Sequence, residues 1–177
     1  MKPVCAVALC LLASIAYAET KLESFIRRPS ARVAWSEEVG RVRSAESQAI
    51  ITALLVEEGS PIRQMRGIRI SVSKPGVAND VYLEEEKLGV FLNTLSFIES
   101  TVTIITGTQK PRRTTVEWDD VEREPLFHNS VTASRSYRIT VDADGLWVAG
   151  VLFPEPGPTS RRLMRAISRA SDELKLH

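Results

Sequence analysis

Cysteine is almost absent from this chain of 177 residues. Only Cys5 and Cys10 are present, and both lie within residues 1–18, a segment that we expect to be removed from the mature protein. The mature chain would then have no thiol, which excludes disulfides, cysteine nucleophiles and thiolate metal sites. Since a chain of about 160 residues can bury enough apolar surface to fold without disulfides, this absence favours an exported bacterial protein.

Histidine is equally scarce, because only His128 and His177 are present. His177 is the last residue, where disorder is the usual expectation. His128 could be combined with Ser130 and Asp142 as a hydrolase triad, but no Gly-x-Ser-x-Gly motif accompanies it. We therefore interpret His128 as an ordinary strand histidine.

The motifs of the common catalytic and cofactor sites are also missing. The sequence has no HExxH motif, no phosphate-binding glycine loop and no Gly-x-Gly-x-x-Gly. The segment 142–145 predicts a turn rather than a calcium loop, because no glutamate stands at position 12 of such a loop. The acidic clusters 37–38, 57–58 and 84–86 could supply paired carboxylates, although solvated clusters are the simpler interpretation. We expect no catalytic residue, no cofactor and no metal site, and hence no enzyme.

Neither sign of charge is in excess. The 23 Lys and Arg side chains exceed the 22 Asp and Glu side chains by one, and losing Lys2 with residues 1–18 brings the net charge to zero. This balance gives no reason to expect a nucleic-acid partner. Beyond the N-terminal segment, no apolar run is long enough for a transmembrane helix.

The N-terminal segment has the order of features that is typical of a secretory signal peptide. A positive start at Lys2 precedes the apolar segment 4–13, which is too short to span a bilayer, and Ala16 and Ala18 are the small residues that a signal peptidase recognises. A buried N-terminal helix would not require this order. We predict cleavage after Ala18 and export to the periplasm or the extracellular space.

The segment from Arg66 to Glu99 is the best-defined block of the mature chain. Alternation from Ile68 to Val72 predicts a strand with one buried face. We expect breaks at 74–76 and 79–80, a return strand at 81–83 and then a helix at about 84–99. The apolar side chains that would form one face of this helix are Leu88, Phe91, Leu92, Leu95 and Ile98.

The residues before this block predict further strands. Residues 19–30 indicate an N-terminal arm, a short helix or an extended segment rather than core. Two strands are expected at 31–35 and 39–43, around the polar segment 36–38. The apolar run 48–57 favours a strand over a helix at 45–58 because it is rich in β-branched residues.

The second half repeats the order of the first. Strands are predicted at 100–108 and 114–118, and the segment 135–141 matches 66–72 in both arginines, an isoleucine and a valine. The apolar run 146–153 predicts one central strand, which Pro154, Pro156 and Pro158 would end.

The last predicted helix is 158–174, with Thr159 or Ser160 as its cap and a buried stripe formed by Leu163, Ile167, Ala170 and Leu174. We therefore predict an α+β protein with an antiparallel, meander-like sheet in two β-β-α halves, about 31–100 and 101–177, within one domain, 31–177. A barrel closed by a helix is the alternative for the first half.

Two surface features are candidate interaction sites. On the last helix Arg161, Arg165 and Arg169 recur at every fourth position, with Arg162 beside them, on the face opposite the apolar stripe. They form either a solvated face or a site for an anionic partner, such as a lipid head group or an acidic protein surface.

On the first predicted helix, Val90 and Phe97 lie away from the apolar face. Another part of the chain, such as the arm around Phe25 and Ile26, or a second copy of the protein would cover them.

These patterns leave three functional hypotheses. The first is an exported, non-catalytic protein-interaction module with a protein partner or a homodimer as its complex. The second is a module that binds a small molecule or a lipid, which requires an apolar pocket. The third is an enzyme that uses carboxylates only.

Overall fold

The longest strands of the protein form one antiparallel meander. A computed structural model describes residues 19–93, 95–96, 131–133, 139–141 and 145–177. Its elements, in chain order, are α1 (Lys21–Ile26), β1 (Ala31–Ser44), β2 (Ser47–Glu58), β3 (Arg63–Lys74), β4 (Val77–Glu84), a 3₁₀ turn (Glu85–Lys87), α2 (residues 88–93 and 95–96), β5 (Val131–Ala133), β6 (Ile139–Val141), β7 (Leu146–Val148), β8 (Val151–Phe153) and α3 (Pro156–Leu174). The predicted α+β class is confirmed.

The first sheet has the strand order β1-β2-β3-β4. Ile70 is opposite Ile51 on one side and Val81 on the other, so the apolar positions of three strands lie on the same face. The alternation predicted for Ile68, Ile70 and Val72 is confirmed, since all three side chains are buried. The segment 48–57 is a strand, as its β-branched residues favoured.

The prediction of two strands at 31–35 and 39–43 is wrong, because β1 is continuous through the polar segment 36–38. Its register against β2 shifts between Val33 and Trp35 and again between Glu38 and Gly40. Each shift accommodates an irregularity in β1, and the pairing of β1 with β2 continues on both sides of it. Because β1 lies at the end of the strand order, its polar side chains can stay in solvent.

The break predicted at 79–80 is also wrong. Lys74 pairs with Val77, so Pro75 and Gly76 alone form the turn between β3 and β4, and residues 79–80 lie in β4. Gly76 has φ 77°, a conformation that glycine adopts readily. The hairpin therefore closes earlier than its polar residues indicated.

The helix predicted at 84–99 begins as a 3₁₀ turn with Glu85 and Glu86 in its first turn, where the positive end of the helix dipole stabilises carboxylates. Leu88, Phe91 and Leu95 on α2 are buried as expected. Ile98 lies outside the described residues.

The apolar run 146–153 is a hairpin and not one central strand. β7 and β8 are joined by Ala149 and Gly150, which have φ 47° and 81°. Two successive positive φ angles fit the turn that the right-handed twist of a two-residue hairpin prefers. The turn was missed because Ala149 is itself buried, so no polar residue marks it.

The second sheet has the order β5-β6-β7-β8. In both halves a strand of the shared sequence is followed by a return strand and later by a helix, although β8 intervenes before α3. Duplication of the halves stays a prediction. The predicted strands 100–108 and 114–118 lie outside the described residues.

Helix α3 begins at Pro156, two residues before the predicted start. Proline is tolerated in the first turn of a helix, so Pro156 and Pro158 belong to α3 rather than merely ending the strand before it. The predicted caps are wrong, because Glu155 occupies the cap position and Thr159 and Ser160 are buried inside the helix. Their hydroxyls have no hydrogen-bond partner among the described residues.

Both faces of the first sheet are covered. The main core lies between one face and the side chains of α2, α3 and the β7–β8 hairpin, and it includes the predicted stripe Leu163, Ile167, Ala170 and Leu174. On the other face α1 buries Leu22 and Phe25 against Leu54 and Val56. The N-terminal arm therefore contributes a small core of its own, contrary to the prediction.

Two of the helices, α1 and α3, each approach the first sheet at a glycine. A Cβ atom at Gly40 of β1 would be 2.6 Å from the Cβ atom of Ala166 on α3. A Cβ atom at Gly67 of β3 would be 2.1 Å from the Leu83 carbonyl oxygen and 2.6 Å from Cδ2 of Leu22 on α1. Neither distance allows a side chain, so the helices pack directly on backbone.

Of the helices in the described part of the chain, none is long and apolar enough to cross a membrane.

Replacing Gly67 by Ala should destabilise the protein by about 1–3 kcal/mol, because the added methyl group overlaps backbone and forces α1 away from the sheet. Gly40→Ala should act in the same way on α3. Urea denaturation measures both effects.

Gly89 on α2 is the matched control, because nothing lies within 4 Å of a Cβ atom built there. Gly89→Ala should leave the free energy of unfolding unchanged or raise it. Equal stability of all three variants would contradict the proposed close approach.

Candidate functional site

The arginines of α3 lie on the outer side of the protein. The contact between Ala166 and Gly40 seats one side of α3 on β1, and its apolar stripe is buried. The opposite side turns outward, where four arginines are exposed: Arg161, Arg162, Arg165 and Arg169. We refer to these four residues as the α3 arginine face.

Two arginines of this face, Arg162 and Arg165, contact backbone carbonyl groups. Arg162 donates from Nη1 to the carbonyl oxygen of Arg43 at 3.2 Å, and Arg165 donates from Nε to the carbonyl oxygen of Arg161 at 3.4 Å. A guanidinium has five N–H donors. Each of these contacts occupies one of them and leaves the planar edge that binds carboxylates available.

Several arginines elsewhere in the protein are paired with glutamates. The pairs are Arg27–Glu23 at 2.6 Å, Arg28–Glu58 at 2.9 Å, Arg32–Glu57 at 3.0 Å, Arg41–Glu38 at 2.9 Å and Arg63–Glu58 at 2.8 Å. Within the described ranges, by contrast, no carboxylate pairs with Arg162, Arg165 or Arg169. Among the described residues, Arg43 and Lys87 are also exposed without a carboxylate partner, so the α3 arginine face is distinguished by having three such cations on one helix.

The residue at the end of the chain, His177, contacts the first sheet. The rings of Trp35 and His177 are stacked, with centroids 4.0 Å apart and planes at 29°. Arg66 donates from Nη2 to the His177 carbonyl oxygen at 3.1 Å. The expectation of disorder at His177 is wrong, because tertiary contacts hold it. No local pattern in the sequence indicates this stack, since Trp35 and His177 are so far apart in the chain.

Two of the acidic clusters that sequence analysis considered for catalysis, 57–58 and 84–86, contact the N-terminal arm and its neighbours, whereas Glu38 of the third pairs with Arg41 within β1. Glu58 accepts hydrogen bonds from Arg28 and Ser30 of the arm and pairs with Arg63. The bonds from Ser30 and then Arg28 lower the pKa of Glu58. In Glu57, bonds from Gln64 and Arg32 lower the pKa in the same way. Both groups favour the ionised form, which suits ion pairs and not proton donation.

Glu84 has a related role at the other end of the arm. Its Oε1 atom accepts a hydrogen bond from the buried backbone N–H of Leu22 at 3.2 Å, in the first turn of α1. Thr20 accepts from the N–H of Glu23 at 3.2 Å and caps the same helix. These two acceptors satisfy N–H groups that the start of a helix leaves without partners.

A shallow groove of about 280 Å³ lies between α1 and β4. Its polar lining includes Glu23, Arg27, Asn79, Asp80 and Tyr82. Burial, and then the charge of Asp80, raise the pKa of Tyr82. Arg27 is held by Glu23 and Glu19, and the lining carboxylates Glu23 and Asp80 outnumber its one guanidinium.

The second predicted surface is divided between described and undescribed residues. Val90 is half-buried and packs against the main core, so the chain itself covers part of it. Phe97 lies outside the described residues. Phe25 and Ile26 pack on the opposite face of the sheet, against Leu54 and Val56, so these two residues do not provide the cover.

Among the described residues, no group of three or more His, Cys, Asp or Glu side chains could hold a metal ion. Comparison with known proteins gives no match to a family model, to a curated protein or to a solved structure.

The pairing of Glu58 predicts a pH dependence of stability. A carboxyl whose pKa is lowered on folding stabilises the folded state above its unfolded pKa of about 4.3, and this contribution is lost as the pH falls through the folded pKa. When the pH is lowered from about 5 to about 3, the free energy of unfolding of Glu58→Gln should therefore decrease less than that of the unchanged protein. Thermal melts across this range measure the difference.

Glu46→Gln is the control, because Glu46 is exposed in the turn between β1 and β2. The stability of Glu46→Gln should change with pH in the same way as that of the unchanged protein. Parallel curves for Glu58→Gln and the unchanged protein would show that the arm is not held by an ionised Glu58.

Proposed function

We propose that the protein is an exported, non-catalytic protein-interaction module that binds its partner through the α3 arginine face. The observation that supports this proposal is the contrast between paired and unpaired arginines. Five arginines, in the segment after α1, in β1 and in β3, are paired with glutamates. Arg162, Arg165 and Arg169 on α3 have no such partner in the part of the chain that the structure describes.

This arrangement is unfavourable for the isolated helix. Arg165 lies one turn from Arg161 and one turn from Arg169, and like charges at this spacing destabilise a helix by about 0.2–0.5 kcal/mol per pair. The fold of α3 does not need these charges, because its stability comes from the buried stripe that includes Leu163, Ile167, Ala170 and Leu174. Carboxylates supplied by a partner would convert the repulsion into attraction.

Export is the second part of the proposal. The signal peptide proposed for residues 1–18 would leave Glu19 as the mature N-terminus. The first mature residues then have defined contacts, because Glu19 pairs with Arg27 at 3.0 Å and Thr20 caps α1. A start at Glu19 is therefore compatible with the docking of α1 on the sheet.

The alternative of a small-molecule or lipid site has weaker support. Ligand pockets are lined mainly by apolar side chains and measure about 300–1,000 Å³. The groove beside α1 is smaller than this range, at about 280 Å³, and is mainly polar. It suits a small polar ligand better than a lipid. An enzyme that uses carboxylates would need a raised carboxyl pKa for a general acid, whereas the resolved shifts of Glu57 and Glu58 are downward.

Processing can be measured directly. Mass spectrometry of the exported protein should give a chain that begins at Glu19, because Ala16 and Ala18 fit the small-residue preference of signal peptidase. Recovery of the chain with Met1 intact in the soluble cytoplasmic fraction would contradict export.

The interaction surface can be tested with a photo-crosslinking amino acid in the full-length chain in its native cells. At Ser168, an exposed position of α3 between Arg165 and Arg169, it should give a discrete crosslink to another protein. The crosslink should disappear when Arg165→Glu and Arg169→Glu are added.

Ser36 is the control position. It is exposed on β1 and pairs with Leu54, on the sheet face that α1 covers. The same products from both positions, or no protein crosslink from position 168, would contradict the proposed function.

A further inference from the structure

The spacing of the α3 arginine face limits what can bind along it. Arg165 and Arg169 are four residues apart, which places these two arginines about 6 Å apart along the helix axis. Alternate residues of an extended segment are about 6.6–6.8 Å apart, and residues four apart on a second helix are again about 6 Å apart. Carboxylates with either spacing would meet successive guanidinium groups.

The residue type also indicates the chemistry of the partner. All four positions are arginine and none is lysine. A guanidinium is planar and binds a carboxylate or a phosphate through two parallel N–H donors, whereas an ammonium acts as a compact point charge. The face is therefore suited to oriented pairing with individual anionic groups.

A membrane surface fits these observations less well. An amphipathic helix binds at a bilayer through its apolar face, but the apolar stripe of α3 is 0–1% exposed because it packs in the main core. Four arginines that act by electrostatic attraction alone would give only about millimolar affinity.

A nucleic acid is also less suitable. Phosphate backbones attract domains with an extended basic surface, whereas the charges of residues 19–177 sum to zero. The positive charge of α3 is a narrow row on a neutral protein, and such a row matches a short acidic segment better than a continuous polyanion.

We infer that the α3 arginine face binds an acidic segment of a protein partner, with carboxylates at every second residue of an extended segment or at every fourth residue of a helix. This inference rests on the proposed interaction function and names the chemistry of the partner. Arg162, Arg165 and Arg169 carry the argument, since each has donors that no carboxylate of the described chain occupies.

The test uses the full mature chain and labelled synthetic peptides. One peptide has Glu at every fourth position in an alanine-rich sequence, a second has Glu at every second position, and a third replaces each Glu of the first by Gln. Fluorescence anisotropy should show binding of at least one Glu peptide, about tenfold or more tighter than the Gln peptide. The affinity should fall as salt is raised from 50 to 300 mM, since salt screens exposed charges.

Arg165→Glu with Arg169→Glu should abolish this binding. The matched control is Lys74→Glu with Lys87→Glu, which makes the same change of net charge in the β3–β4 hairpin and the 3₁₀ turn and should bind like the unchanged protein. Circular dichroism verifies that both variants fold. A peptide with Lys in place of Glu should bind the α3 variant and not the unchanged protein, a reversal that a purely structural role of the arginines would not produce.

The remaining outcomes overturn the inference. Equal loss of binding in the two charge variants would indicate net charge alone. Arginine-dependent binding to vesicles with one third phosphatidylglycerol, without peptide binding, would indicate a membrane surface. No binding of the unchanged protein to peptides or vesicles would indicate a solvated face. The crosslink from position 168 separates the two proposals: its presence without peptide binding rejects only the acidic partner, and its absence rejects the interaction function itself.

Discussion

The architecture depends on two places where a helix lies directly on the backbone of the first sheet. Gly40 allows α3 to approach β1 through Ala166, and Gly67 allows α1 to approach β3 through Leu22. Both faces of the meander are thereby buried, one in the main core and the other in the small core of the N-terminal arm. Since the position of α3 follows from the first contact, so does the outward direction of its arginines.

The distribution of ion pairs separates two uses of charge in this protein. Around α1 and β1, glutamates pair with arginines and connect the arm to the sheet. Glu58 is the clearest case, because it accepts hydrogen bonds from Arg28 and Ser30 and forms an ion pair with Arg63. On α3 the arginines are exposed, and the contacts of Arg162 and Arg165 are to backbone carbonyl groups. The first set stabilises the fold, and the second supports the proposed binding surface because the fold does not require it.

Most elements of the fold were predictable from periodicity. Alternation from Ile68 to Val72 and the stripe of α3 predicted both the elements and their buried faces, since burial of one face imposes the period of each structure. The misses are at turns and ends. The Ala149–Gly150 turn is hidden in an apolar run, β1 continues through two register shifts, and α3 starts at a proline. The proline start of α3 and the glycine of the turn agree with local preference, whereas the continuity of β1 is set by its pairing with β2.

The sequence alone determined that four arginines would share the outer face of the last helix, because a spacing of three to four residues places side chains on one side of any helix. Only the tertiary structure decided which charges remain unpaired. Glu58 contacts Arg28, thirty positions away in the chain, and Trp35 contacts His177, more than a hundred positions away. Such contacts depend on how the sheet brings distant segments together. The spacing of residues along the chain does not predict which distant segments meet.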